Sequence, residues 1–522
     1  MQHGPDADLP GFRTAFWQRL ADEPATYELT RFLVLRLLAL VYLFAFLSLA
    51  LQLGPLLGSH GLLPVEKFLA FMHARIGASA YWRVPTLFWL GSSDRVLLGA
   101  AWLGVLLSAA ALAGATSAVL QLALWVLYSS LVHVGQIFYG YGWELQLLET
   151  GMLAVFLCPL RLSGPFPPSA TPKIVIWLLR WLIFRIMLGA ALIKLRGDPC
   201  WRDLTCLDYH FETQPNPGPL AWGLHHAPHA VHVAGALFNH FVELLVPWFA
   251  FGLRRWRHAA GALLVAFQVT LILSGNLSFL NWLTIVPAIA CFDDTALVRV
   301  LPARWRGPLL SRFELRSPSR PQTLAARGLA LVVGVLSVAP VLNLFSSEQQ
   351  MNASFDPLAI VNTYGAFGSV DRARYEVILE GSRERGRDAD WREYELPCMP
   401  GPVNRRPCVV GPYHYRLDWQ MWFVGNGSAR GEPIEQEPWL VHLVWQLLKG
   451  ERGPDQLLAR DPFEGAPPRW IRAGIWQYRF SGSHEDGAWW TRKRVGEFLP
   501  PVSLETEALR EYVGDYGWPD GP

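Results

Sequence analysis

Residues 189–217 read GAALIKLRGDPCWRDLTCLDYHFETQPNP, and the side chains best suited to chemistry crowd into this stretch. Lys194 sits at the end of an apolar run, and Cys200, Trp201, Arg202, Asp203, Cys206, Asp208, His210 and Glu212 follow it closely. A lysine desolvated at a helix end loses some preference for its charged form and can act as a base. Carboxylates beside a histidine can make a general base or a metal site, or a hydrogen-bonded scaffold for a loop. The Cys200-x5-Cys206-x3-His210 pattern lacks the paired short spacing of a structural zinc site. The denser cluster HHAPHAVH, with His225, His226, His229 and His232, falls at a predicted membrane interface, where histidine is tolerated without any ligand role. No metal site is expected. Gly-rich phosphate loops, nucleophile elbows and HExxH helices are lacking, and Gly381-Ser382 and Gly425-x-Gly427-Ser428 stand in turn contexts, so no cofactor is expected either.

The elements that must position these residues are apolar. Of 522 residues, 52% are hydrophobic and 17% charged, and the mean hydropathy is positive, which moves the chain from the soluble average toward a membrane protein. The net charge of +2 leaves no global field for nucleic acid. The 24 tryptophans suit interfacial belts and a Trp-rich module outside the membrane. A helix needs about 20 apolar residues to span a hydrocarbon core of ~30 Å. Such runs occupy about 31–53, 96–114, 117–140, 143–160, 173–195, 231–253, 258–274, 278–292 and 324–345. The expected fold is an α-helical polytopic membrane protein of about nine transmembrane helices with a C-terminal β-rich extramembrane domain. Residues 64–89 mix apolar residues with Lys67, Arg75 and Arg83, as a helix lying at the interface or a folded loop would.

Orientation follows from basic residues in short loops. With a cytoplasmic N-terminus, nine spans place Arg161, Lys173, Arg254, Arg255, Arg257 and the arginines from Arg299 to Arg320 inside. The loop 196–230 and everything beyond 345 then lie outside; an even count would reverse the tail. Cys158 and Cys291 fall in apolar helices as small buried hydrophobes. Cys200 with Cys206 and Cys398 with Cys408 fall outside, where local disulfides would form in an oxidising compartment, although spacing alone leaves pairing open. Ionisable residues in the spans, namely Arg36, His133, Glu149, Arg180, Arg185, Lys194, His240 and Glu243, either pair structurally or line a cavity. Arg185 with Glu149 or Glu243 would make an interhelical pair.

The polar first residues contain no short apolar core with a cleavage site, so 1–30 reads as a cytoplasmic segment rather than a signal peptide. Residues 31–345 form the transmembrane domain, 346–482 the outside β-rich domain and 483–522 a C-terminal extension. ARYEVILEGS, WREYEL and IWQYRFSG alternate as strands do, and 438–450, PWLVHLVWQLLKG, has helical spacing with a Gly stop.

KLRGDPCWRDLTCLDYHFETQPNPGPLAW, GNLSFLNWLTI, VNTYGAFG, YEVILEGS and RLDWQMWF, in that order, resemble the lipase maturation factor family over about 31–481. The resemblance implies a multi-pass membrane protein of the endoplasmic reticulum in animals, or of the cytoplasmic membrane in bacterial relatives, that helps secreted lipases reach their active assembled form. The Ala-, Gly-, Arg- and Pro-rich composition looks like that of a high-GC bacterium, so the expected place is a bacterial inner membrane with the C-terminal domain outside. A eukaryotic chain would sit in the endoplasmic reticulum membrane. A small-residue helix ending in Lys194, with Trp201 seven residues on, is also similar to the segment around the catalytic lysine of the vitamin K-dependent carboxylase family.

Two functions follow. In the first the protein is a chaperone-like maturation factor, whose partners are a secreted lipase-like client and membrane lipids, with Trp201, Tyr209, Trp419, Trp422 and Phe423 as exposed aromatic anchors. For Trp419 and Trp422 the competing place is the tail's own core. In the second it is a membrane enzyme of the carboxylase-like type, with Lys194 as base assisted by His210 or Glu243 on a lipid or quinol-linked substrate. A transporter would need paired broken helices, which are not seen.

Overall fold

In the computed structural model, which describes residues 26–521 apart from 315, 318, 387, 464–465, 483–486 and 519, the chain is mostly helical. Most of the expected N-terminal segment 1–30, and the start of the expected extension at 483, lie outside the described residues. The helices that matter here are α1 (Glu28–Leu57), α2 (Val65–Ile76), α3 (Asp94–Ala113), α4 (Ala118–Val134), α5 (Gly142–Leu157) and α6 (Lys173–Arg196). Three short ones, α7 (Leu207–Thr213), α8 (Pro219–His225) and α9 (His229–His240), are followed by α10 (Arg254–Ser274), α11 (Leu280–Ala288) and α12 (Arg320–Leu336). The tail contributes α13 (Arg416–Ala429), α14 (Pro438–Lys449) and α15 (Glu507–Tyr516).

Among the described residues, six helical stretches are long and apolar enough to cross a membrane: α1, α3, α6, α9 continued to Phe251, α10, and α12 continued to Phe345. The other three expected spans fall short of that length. With 17 and 16 residues, α4 and α5 reach only about 26 and 24 Å at the α-helical rise, against a core of ~30 Å. The apolar stretch Leu280–Cys291 is shorter again. In the 64–89 region the chain forms α2 and the short helix Ser79–Arg83, with Phe71, Tyr81 and Trp82 exposed.

The helical body is organised on α1, whose Val34, Leu38, Tyr42, Ala45, Phe46, Leu49 and Leu53 are fully buried or nearly so. Gly104 lets α3 approach it: a Cβ there would stand 2.2 Å from the Phe46 ring. Polar residues gather at both ends of α1. Near its start, Asp294 accepts the Glu28 and Leu29 N–H groups at 2.8 and 2.7 Å, capping donors that a helix cannot satisfy internally. Arg316 and Arg31 both meet Glu28 there, and Asp293 holds Arg254, Arg257 and His258. At the far end Gln52 reaches the His414 carbonyl at 2.7 Å and takes the Arg416 N–H at 2.9 Å. Glu28 and Gln52 stand on one continuous helix, about 36 Å apart by its rise, so the two polar layers face opposite ends of the bundle.

The tail has a small antiparallel sheet of β1 (Arg374–Ser382), β2 (Arg392–Glu393), β3 (Trp470–Phe480) and β4 (Trp490–Val502), ordered β2-β1-β3-β4. It is mixed rather than β-rich: α13 lies against β1, and α14 and α15 against each other. RLDWQMWF is part of α13, a helix whose residues Arg416 to Met421 are all buried, so neither period is legible in its sequence. WREYEL supplies only the two residues of β2. The sheet also runs past 482, since β4 pairs with β3 from Trp490 to Val502.

Candidate functional site

α6 ends where Gly197 comes against the Gly368 carbonyl, and Asp198 turns the chain by accepting the Cys200 N–H at 2.9 Å. A disulfide joins Cys200 to Cys206, and a second joins Cys398 to Cys408. Cys158 and Cys291 are buried thiols. Trp201 is buried and donates its indole N–H to the Phe367 carbonyl at 2.7 Å. The loop is thereby tied to VNTYGAFG, which itself threads between helices: Arg185 pairs with Glu149, and Glu149 accepts the Tyr364 hydroxyl at 2.7 Å and the Asn362 N–H at 3.0 Å.

Lys194 is buried on α6 and points at the element that follows α9. There the helix widens into a π-helical turn, Phe241–Leu245, which carries Glu243 inward. Lys194 Nζ donates to Glu243 Oε1 at 2.6 Å, to Glu243 Oε2 at 2.8 Å and to Asn239 Oδ1 at 3.1 Å, and lies 5.0 Å from the Trp201 ring centroid. An ammonium has three hydrogens, and three acceptors face it. That arrangement is a buried pair of Lys194 with Glu243, completed by Asn239.

His210 is buried edge-on against Phe367, and burial, with the Lys194 ammonium nearby, pushes its imidazole down to about 4. Glu212 accepts the Phe480 N–H at 2.6 Å, and its burial raises its pKa above the usual carboxylate range. Arg374 on β1 donates to the Glu212, Gln214 and Pro215 carbonyls. The central loop and the sheet therefore form one surface. Arg202 donates to the Leu195 carbonyl at 2.7 Å, Asp203 is exposed, and Asp208 meets His229 and His232 of α9.

The five aromatic residues expected as exposed anchors do not share one environment. Trp201 is buried, which corrects the expectation that it faces solvent; Trp419 is buried too and takes its competing place in a core, boxed by His414 of the tail and by Trp143 and Tyr141 of the helical body. Trp422 is half-buried, donating to the Thr213 carbonyl at 2.9 Å, and this bond sets α13 beside α7. Tyr209 on α7 is half-buried under the Arg372 guanidinium, 4.8 Å from its ring. Phe423 on α13 is exposed. Two features escaped the sequence: the π-helical turn has no signature distinguishing it from α-helix, and Asp208 meets histidines more than twenty residues away.

Comparison with known proteins covers both halves of this architecture. The family model described as "Lipase maturation factor transmembrane domain" matches residues 29–299, and that described as "Lipase maturation factor C-terminal domain" matches 360–500. The chain is similar to lipase maturation factor 1 of Bos taurus, 48% identical over 523 residues covering 95% of this chain and 92% of that protein. It is 47% identical to lipase maturation factor 1 of Homo sapiens over 95% of this chain and 91% of that protein. Lipase maturation factor 2 of Homo sapiens is 31% identical over 94% of this chain and 85% of its own length. No solved structure matches the chain.

Proposed function

The chain belongs to the lipase maturation factor family, and from that premise we propose that it is a membrane-embedded maturation factor, chaperone-like in action, for secreted lipases or related hydrolases. The observation that carries this reading is identity of 47–48% to lipase maturation factor 1 across both the transmembrane and the C-terminal domains. The carboxylase-like alternative has no support: Lys194 Nζ is buried against three acceptors, Asn239 Oδ1 and both oxygens of Glu243.

The protein is an integral membrane protein, and its domains divide near 345 into a helical body and an outside tail. The count of nine crossings goes beyond the six long helices and takes the shorter α4, α5 and Leu280–Cys291 as crossings too; the reversal of direction it needs is seen at α3, where Asp94 meets Ser59 just beyond α1 and Thr116 beyond the other end bridges to Ser163. The basic residues Arg254, Arg257 and Arg316 share the layer of Glu28, as a cytoplasmic face would require. The tail and the 196–230 loop then share the outer face. Composition favours a bacterial cytoplasmic membrane; the relatives named above are vertebrate, and a eukaryotic source would place the chain in the endoplasmic reticulum membrane.

On this outer face the client surface is built on Phe423 and Tyr209, which stand on the neighbouring helices α13 and α7, with Arg372 over the Tyr209 ring. Aromatic rings and arginine that reach the surface are among the side chains that most often carry binding energy at protein interfaces. Holding a client subunit there would stabilise an assembly intermediate by mass action, without covalent chemistry. Co-expression of a secreted dimeric lipase with and without this protein tests the reading. Lipase activity per unit mass should rise in its presence; equal specific activity in both cultures overturns it.

A further inference from the structure

Two ring nitrogens and one carboxylate oxygen converge where α7 meets α9. His232 Nδ1 lies 2.6 Å from Asp208 Oδ1, and His229 Nδ1 lies 3.0 Å from the same oxygen. The other nitrogen of His232, Nε2, stands 2.7 Å from the Leu224 carbonyl of α8. A carbonyl only accepts, so Nε2 carries a proton, and a ring with that single proton turns its Nδ1 lone pair toward the carboxylate. Two acceptors at that distance need a positive centre between them. A cation set off the N–O lines answers both histidines and the carboxylate together; protons do the same only if both Nδ1 atoms carry one, which makes His232 an imidazolium.

Among the described residues this is the group of His, Cys, Asp or Glu whose donor atoms all lie within 4.8 Å of one another. Zinc bound at about 2.0–2.2 Å to N and O donors in a tetrahedron holds them about 3.3 Å apart, so the His229–Asp208 contact needs to open by about 0.3 Å and the His232–Asp208 contact by about 0.7 Å. The Leu224 carbonyl fixes the tautomer and ring orientation of His232, as outer partners of metal-bound histidines do. His232 is buried, while the side chain of His229 is 60% exposed, leaving a fourth corner open to water. We propose that Asp208, His229 and His232 form a divalent-metal site of the zinc class that clamps the loop helices α7, α8 and α9 together on the outer face.

The test uses the full chain purified in detergent, stripped with a chelator and titrated with Zn2+ alone. About one equivalent should bind per chain and survive gel filtration, and the melting temperature should rise with zinc concentration. His229→Gln alters an exposed side chain and leaves the fold intact; it and Asp208→Asn should each weaken zinc binding at least about tenfold. Co2+ in place of zinc should give a tetrahedral absorption spectrum that His229→Gln abolishes. Absence of saturable binding overturns the proposal. So does zinc binding that survives both variants or depends instead on His226, and so does a melting temperature that follows pH but not zinc.

Discussion

Lys194 Nζ stands 2.6 Å from Glu243 Oε1, joining the end of α6 to the π-helical turn after α9, with both side chains about 95% buried. Each ion has been taken out of water, so each depends on the other. Removing one partner of a buried pair leaves an uncompensated charge and costs about 3–5 kcal/mol. Lys194→Ala and Glu243→Ala should each lower the melting temperature sharply, while the double replacement Lys194→Met with Glu243→Leu should recover much of the loss. Lys194→Arg keeps the charge and should retain client maturation. A Lys194→Arg protein that reached the membrane in normal amount yet matured no lipase would restore the case for a base.

Gly189 on α6 faces the Tyr364 carbonyl so closely that a Cβ would stand 2.4 Å from it. No side chain can give way, because both sides of the contact are backbone. Gly189→Ala should push VNTYGAFG off the helix and cost about 1–3 kcal/mol as an overpacking change. The measurement is protease cleavage near 361–368, which should quicken in the variant and stay slow in a control such as Gly164→Ala, where nothing lies within 4 Å.

Much of this arrangement was legible in sequence, and the failures share a cause. Apolar runs locate helices because a span needs length and hydrophobicity, both local properties. The Arg185 pairing with Glu149 or Glu243 was narrowed to two partners by burial cost, and the fold selects Glu149. Partnerships across distant elements were out of reach: the Asp208 contacts to His229 and His232 depend on how three short helices stack. Aromatic anchors misled for the same reason. Trp201 and Phe423 look alike in a sequence of loops, yet one fills the space beside Phe367 and the other projects outward.

Asp418 of α13 accepts the Cys398 and Met399 N–H groups through one oxygen, while its other oxygen is buried without a partner. Burial pushes its carboxyl up to about 7 from 3.8. Between those values the folded tail binds a proton that the unfolded tail releases. Stability from this group is therefore fully present below pH ~4 and is lost as pH rises through ~7, a swing on the order of 4 kcal/mol. Asp418→Asn keeps an acceptor and has no charge to bury. Hydrogen exchange in β1 and β3 of the full chain should slow in Asp418→Asn relative to wild type at pH 8, and the two should converge at pH 4.

Phe423 separates the client-binding reading from a merely structural one, because it is 44% exposed, whereas its neighbour Trp419 is buried in the aromatic box. Truncating an exposed ring removes little packing, so Phe423→Ala should leave expression, membrane insertion and melting temperature near wild type. At an interface the same ring is worth more: a central aromatic anchor commonly costs 2 kcal/mol or more on truncation, which is about thirtyfold in affinity. Lipase specific activity should fall accordingly when client is limiting, and Tyr209→Ala should add to the loss by removing the ring under Arg372. Trp419→Ala should behave oppositely, lowering the amount of folded protein and lipase activity together. If Phe423→Ala with Tyr209→Ala matures lipase as well as wild type at every client level, the client meets the protein elsewhere on its outer face.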